Sequence, residues 1–161
     1  MTIKVGDKMP EGTMMTMTGE GPKPVSSSEL FGGKKVVFFG LPGAFTPTCS
    51  AKHLPGFIEK AGELKSKGVD TIACMSVNDA FVMGAWGKDQ GAGDKVMMLA
   101  DGSADYAKAM GLELDLTARG MGMRATRFSL LVDDGVVKAV NIEESPGEAV
   151  QSGAETMLTQ V

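Results

Sequence analysis

Two cysteines, Cys49 and Cys74, and one histidine, His53, are the residues of this sequence best suited by type to nucleophilic or redox chemistry. Cys49 stands in the segment Leu41-Pro-Gly-Ala-Phe-Thr-Pro-Thr-Cys49-Ser50. A run of strand formers leads into a turn rich in proline and glycine, and the cysteine opens the helix that follows. First-turn N–H groups of a helix lack internal partners and carry partial positive charge. A thiolate placed there accepts their hydrogen bonds and is favoured over the thiol. Thr46 and Thr48 add hydroxyls within reach of the sulfur or of a bound oxygen. Position alone leaves a plainer alternative, in which Cys49 is a small buried apolar residue and the prolines only shape a turn. Cys74 lies in mid-strand among Ile72, Ala73, Met75 and Val77, where an inert buried thiol is the better reading.

Other cysteine chemistries fit less well. A thioredoxin-type disulfide exchanger needs a second cysteine close to the first, and the sequence holds no C-x-x-C. One histidine and two cysteines cannot make the usual four-ligand Cys/His zinc site. His53 follows Cys49 by four residues, so on a regular helix the two share a face. That raises a Cys–His hydrolase, but no oxyanion motif or third member stands out, and a packing or helix-surface histidine is the simpler reading.

The elements that must position these residues follow from pattern. Thr13 to Thr18 and the segment around Val25 read as strands about Gly19, Gly21 and Pro22, and Ser28 is placed to cap a short helix that Gly32 and Gly33 stop. Lys35 to Leu41 reads as a buried strand. Leu54, Phe57, Ile58, Ala61 and Leu64 then fall at offsets 0, 3, 4, 7 and 10, one apolar helical face closed by Lys67-Gly68. Pro55 either kinks this helix or starts its longer part. A strand at 71–77, a helix at 79–89, a strand at 96–100 and a helix at 104–110 come next. Strands at 128–132 and 136–140 flank Asp134-Gly135, a two-residue hairpin signal, and a last helix is expected over 148–158. This order suits an α/β thioredoxin-like sandwich, with a central mixed β-sheet flanked by helices, in one domain over residues 1–161.

Composition narrows the function classes. The chain has 161 residues, 43% of them hydrophobic and 22% charged, with a formal net charge of −4. No basic run offers the long-range attraction that nucleic acid requires. The longest strongly apolar run, Val36 to Leu41, is too short to cross a bilayer, and no signal-peptide core follows the charged N-terminus. Few cysteines fit a reducing compartment, and the cytoplasm is expected. The 13 methionines read as flexible core filler.

The string PGAFTPTC resembles the peroxiredoxin signature of Pro, three residues, Thr, two residues and Cys, and in particular the type II (peroxiredoxin 5-like) group of plants and bacteria. The likeness runs in order through HLPGF (53–57), SVNDAFVMGAW (76–86), LADGSADY (99–106) and RFSLLVDDG (127–135). It implies a thiol-dependent peroxidase that reduces hydrogen peroxide and alkyl hydroperoxides, with no metal or organic cofactor. By the same resemblance Cys49 is oxidised to a sulfenic acid, Pro42 shields that intermediate, Thr46 hydrogen-bonds the peroxide and the thiolate, and Arg127 completes the site. Only the RFSLLV match selects Arg127 over Arg119 and Arg124, which read as solvated surface residues.

Animal relatives of the two-cysteine kind carry a resolving cysteine near the C-terminus, and residues 143–155 here hold none. Cys74, 25 residues after Cys49, matches the second cysteine of the plant-like proteins. The resemblance implies glutathione with glutaredoxin, or thioredoxin, as the reductant, and a homodimer formed through loops about the site. Phe45 and the loop at 112–116 are candidates for that contact.

Overall fold

The computed structural model describes residues 1–145 and 147–161. Seven strands form one mixed sheet in the order β2-β1-β5-β4-β3-β8-β9. They are β1 (Thr13–Thr18), β2 (Gly21–Ser26), β3 (Lys35–Leu41), β4 (Thr71–Ser76), β5 (Met97–Ala100), β8 (Phe128–Asp133) and β9 (Val136–Ile142). β3, β4 and β5 run parallel, and the outer pairs are antiparallel. β6 (Glu113–Leu116) and β7 (Gly122–Ala125) make a separate two-stranded ribbon. The helices are α1 (Ser27–Phe31), α2 (Leu54–Glu59), α3 (Ala61–Ser66), α4 (Ala80–Gln90), α5 (Asp105–Ala109) and α6 (Ala154–Leu158).

Period-two alternation in the central strands builds a core on each face of the sheet. Val37, Phe39 and Leu41 of β3 and Ile72 and Cys74 of β4 pack with α2, α3, α4 and α6 through Leu54, Phe57, Leu64, Trp86 and Met157. Val36, Phe38, Ala73 and Met75 face the other way, onto Phe31 of α1 and Tyr106 of α5. The expected α/β sandwich with a mixed sheet between helical layers is what forms. Cys49 and Cys74 both belong to the first of these cores.

Several local expectations are corrected. Ser26, not Ser28, caps α1: its Oγ accepts the Glu29 N–H at 3.2 Å and donates to the Glu29 carboxylate at 3.0 Å. The helix expected from Leu54 to Lys67 breaks at Lys60 into α2 and α3, between the weak helix formers Gly56 and Gly62. The last helix is confined to α6. Glu143 draws the N–H groups of Gln151 and Ser152 onto its carboxylate and so diverts the backbone that a longer helix needs. The 112–116 loop is in large part β6, whose short ribbon carries too few residues for a clear alternation. The Asp134-Gly135 hairpin is present, with φ of 47° and 78°.

Gly40, next to the last residue of β3, has no room for a side chain. A Cβ there would lie 2.6 Å from Phe128 Cζ and 3.2 Å from the Met75 carbonyl. Gly40→Ala should therefore lower stability by about 1–3 kcal/mol through overpacking. Urea unfolding tests this, and an unchanged midpoint would contradict it.

Candidate active site

The helix that carries Cys49 begins at Pro47, whose missing N–H is no loss at a first helical position. Ser50 N–H closes the first turn onto the Thr46 carbonyl at 2.9 Å. Residues Cys49–His53 then form a π-turn, in which Leu54 N–H reaches back five residues to the Cys49 carbonyl. Pro55 supplies the cause: without an N–H it cannot continue the α pattern. The disturbance expected at Pro55 is thus taken up one turn earlier, beneath the cysteine.

Cys49 is fully buried, and its sulfur receives Arg127 Nη2 at 3.1 Å. Arg127 is only 2% exposed, just ahead of β8. Its Nη1 meets His53 Nδ1 at 3.0 Å, while His53 Nε2 lies 3.0 Å from the Ser152 carbonyl. A carbonyl can only accept, so Nε2 carries the proton and Nδ1 offers its lone pair to the guanidinium. Burial first, and then the Arg127 charge, push the His53 pKa down to about 3. The ring packs on Phe39, with centroids 5.0 Å apart. Cys49 and His53 therefore do share a face, but a guanidinium spans them. His53 is neither a surface residue nor a base at neutral pH, which removes the hydrolase reading.

Thr46 Oγ1 donates to the Gly43 carbonyl at 2.7 Å, so its proton is committed and its lone pairs are what it offers an incoming O–H. Thr48 Oγ1 is turned away, donating to the Gly147 carbonyl at 3.0 Å. Pro42 is buried, and with Thr46, Arg127, Leu116 and Met121 it lines a cavity of about 230 Å³. A larger cavity of about 520 Å³, between α4 and the β1–β5 edge, is lined by Met17, Gly84, Gly87, Met97 and Met98 and by neither cysteine. Of these two cavities, the smaller is the one lined by Arg127, whose Nη2 meets the Cys49 sulfur.

Two residues that position the loop escaped the sequence reading. Arg124 is half-buried rather than solvated: Nη1 donates to the Pro42 carbonyl at 3.3 Å and Nε to the Met121 carbonyl at 2.8 Å. Asn78 Oδ1 accepts the Ala44 N–H at 3.0 Å and the Ser76 hydroxyl at 2.6 Å. Neither has a spacing signal for this role, since the contacts with Pro42 and Ala44 join segments far apart in sequence. Arg119 is exposed at the cavity rim. Cys74, paired across the sheet with Phe39 and Met98, is fully buried. Burial, and next the nearby Cys49, push its thiol pKa well up, which keeps it protonated and unreactive in this fold.

The redoxin family profile matches residues 4–158. Among curated proteins, the chain is 54% identical to the chloroplastic peroxiredoxin-2E of Arabidopsis thaliana over 162 residues, covering 98% of this chain and 68% of that protein. It is 54% identical to peroxiredoxin-2B of the same plant over 157 residues, covering 97% and 96%. Among solved structures, reduced Prx3 from Vibrio vulnificus in complex with hydrogen peroxide superposes with a TM-score of 0.93 at 50% identity, covering 98% of each chain.

The buried imidazole has a consequence for acid stability. His53 titrates near 6.5 when unfolded and near 3 in the fold, so between these values only the unfolded chain takes the proton. Its contribution is full above about pH 6.5 and is lost as pH falls toward about 3, on the order of a few kcal/mol in all. His53→Gln should flatten the fall in stability between about pH 7 and about pH 4.5, read as ΔG from urea unfolding. Parallel pH dependences in the two proteins would refute the assignment.

Proposed function

Because the chain belongs to the redoxin family, and within it to the type II peroxiredoxins, which are thiol peroxidases, we propose that Cys49 is the nucleophile and that Arg127, Thr46 and Pro42 form the site around it. The observation that carries this reading is the 3.1 Å contact from Arg127 Nη2 to the Cys49 sulfur, deep in the wall of a cavity that Pro42 and Thr46 line.

The thiolate attacks one oxygen of the peroxide, the O–O bond breaks, and the other oxygen leaves as hydroxide or alkoxide and takes a proton. An ordinary thiol, with a pKa of ~8.5, is already several per cent ionised at neutral pH, so complete ionisation gains only about tenfold. The larger share must come from holding the peroxide in line and from donors where charge develops. Thr46 Oγ1 accepts the peroxide O–H, and the Arg127 fork faces both the sulfur and the oxygens. Hydrogen peroxide and small alkyl hydroperoxides match the cavity of about 230 Å³, and the Vibrio vulnificus relative is described with hydrogen peroxide bound. Glutathione with glutaredoxin serves as reductant, with thioredoxin as the alternative. The inert, buried Cys74 favours attack on the sulfenic acid by an external thiol. Phe45, 53% exposed and held at φ 65°, and Phe81, 66% exposed, offer apolar surface that supports a homodimer.

Cys49→Ser should abolish peroxide consumption, and Arg127→Ala should slow Cys49 oxidation by about a hundredfold where the sulfur is ionised in both proteins. Arg127→Lys should stay impaired, since a point charge cannot replace the fork. Turnover by Cys49→Ser, or equal oxidation rates with and without Arg127, would overturn the site.

Cys74→Ser should keep most of its turnover with glutathione and glutaredoxin. Loss of turnover with every reductant, while Cys49 still oxidises normally, would instead make Cys74 the resolving residue.

A further inference from the structure

Beyond the cavity wall, a chain of hydrogen bonds leaves Arg127 and returns to it. The Arg127 carbonyl accepts the Glu143 N–H at 3.0 Å. Glu143, 5% exposed, turns its carboxylate onto Ser152, accepting its N–H at 2.6 Å and its hydroxyl at 2.5 Å, and takes the Gln151 N–H at 3.1 Å. Ser152 is fully buried, and its carbonyl, fixed by those bonds, receives His53 Nε2–H at 3.0 Å. His53 Nδ1 then takes Arg127 Nη1–H at 3.0 Å, and Nη2 faces the sulfur. Main chain and side chain of one arginine are thus tied to each other through three residues.

We propose that Glu143 and Ser152 are positioning residues for peroxide reduction: they hold His53 as the Nε2–H tautomer, whose Nδ1 lone pair fixes the Arg127 fork against Cys49. A guanidinium has five donors and no acceptor, so its orientation is set only by where acceptors stand. Were His53 to carry its proton on Nδ1, an N–H would face an N–H, and the fork would turn away from the sulfur. The Ser152 carbonyl forbids that tautomer, and the Glu143 carboxylate keeps the carbonyl in place. Burial works against ionisation of Glu143, but the hydrogen bonds from Ser152, Gln151 and Val150 outweigh it and hold its pKa below the usual carboxylate range. It is therefore an acceptor throughout the neutral range.

The proposal rests on Arg127 acting at Cys49, and Arg127→Ala separates the two. The probe is hydrogen peroxide, with the second-order rate of Cys49 oxidation read by stopped flow through Trp86, whose Nε1 donates to Ser50 Oγ beside the nucleophile. Rates are compared at a pH where the sulfur is ionised in every variant. Glu143→Gln replaces an acceptor with an NH₂ facing another N–H, and should lower the rate by about tenfold or more. His53→Asn places its amide oxygen where Nδ1 stood and should lose no more than about threefold, while His53→Gln reaches only toward Ser152 and should lose about tenfold or more. Both histidine variants remove the same ring from the same packing, so a merely structural role would slow them alike. A wild-type rate for Glu143→Gln, or equal rates for the two histidine variants, overturns the proposal provided Arg127→Ala is slow. If Glu143→Gln does not fold, the histidine pair decides alone. If Arg127→Ala is also fast, it is the reading of the site that fails.

Discussion

A guanidinium kept 2% exposed is the constraint from which the rest of this site follows. Taking a permanent charge out of water is costly unless it is paired and its donors are satisfied. No carboxylate forms a salt bridge with Arg127 among the described residues. The sulfur of Cys49 and the lone pair of a neutral imidazole take that place at two of its nitrogens. The same buried charge meets the Cys49 sulfur directly through Nη2. It also explains the histidine: a second cation beside Arg127 would be intolerable, and burial and the guanidinium together hold the imidazole neutral.

The loop on the other side of the sulfur is held by long-range contacts of the same kind. Arg124 reaches from β7 to the Pro42 carbonyl, and Asn78 reaches from the end of β4 to the Ala44 N–H. A Cβ on Gly43 would lie 2.8 Å from Arg124 Nη1, so glycine is what lets that arginine close over the turn. These contacts fix the segment that carries Thr46, the residue proposed to hold the peroxide in line.

Much of this was legible in the sequence, and the limits have physical causes. Strand β3, the turn after it and a cysteine in the first helical turn are local features, written in residue type and spacing. The face shared by Cys49 and His53 also follows from a separation of four. What stands between them does not, because Arg127 arrives from the segment just ahead of β8, 78 residues from Cys49. Resemblance to a family chose Arg127, where spacing could not. Arg124 was misread as solvated, and Glu143 and Ser152 passed unnoticed, since their roles are hydrogen bonds across the fold. The overlong final helix is the same failure: pattern gave helix over 148–158, but one buried carboxylate took the amides that would have formed its first turn.

The burial of Cys49 sets different demands on the two halves of a peroxidase cycle. A small peroxide needs only a slight widening of the wall of the neighbouring cavity to meet the buried sulfur, whereas a glutathione molecule or a protein thiol needs far more room. For the external thiol proposed above to attack Cys49, the first helical turn must open. That turn is poorly suited to resist: Pro47 and Pro55 donate no backbone hydrogen bonds, and the π-turn between them spaces its bonds more widely than an α-helix does. Its tertiary hydrogen bonds join Thr48 to the Gly147 carbonyl, Ser50 to Trp86, His53 to Ser152, and Cys49 and His53 to Arg127. Oxidation changes the sulfur from a compact acceptor into a larger group that carries a hydroxyl, in a space fitted to the first. That added bulk falls on a turn whose backbone ladder is interrupted by two prolines and a π-turn.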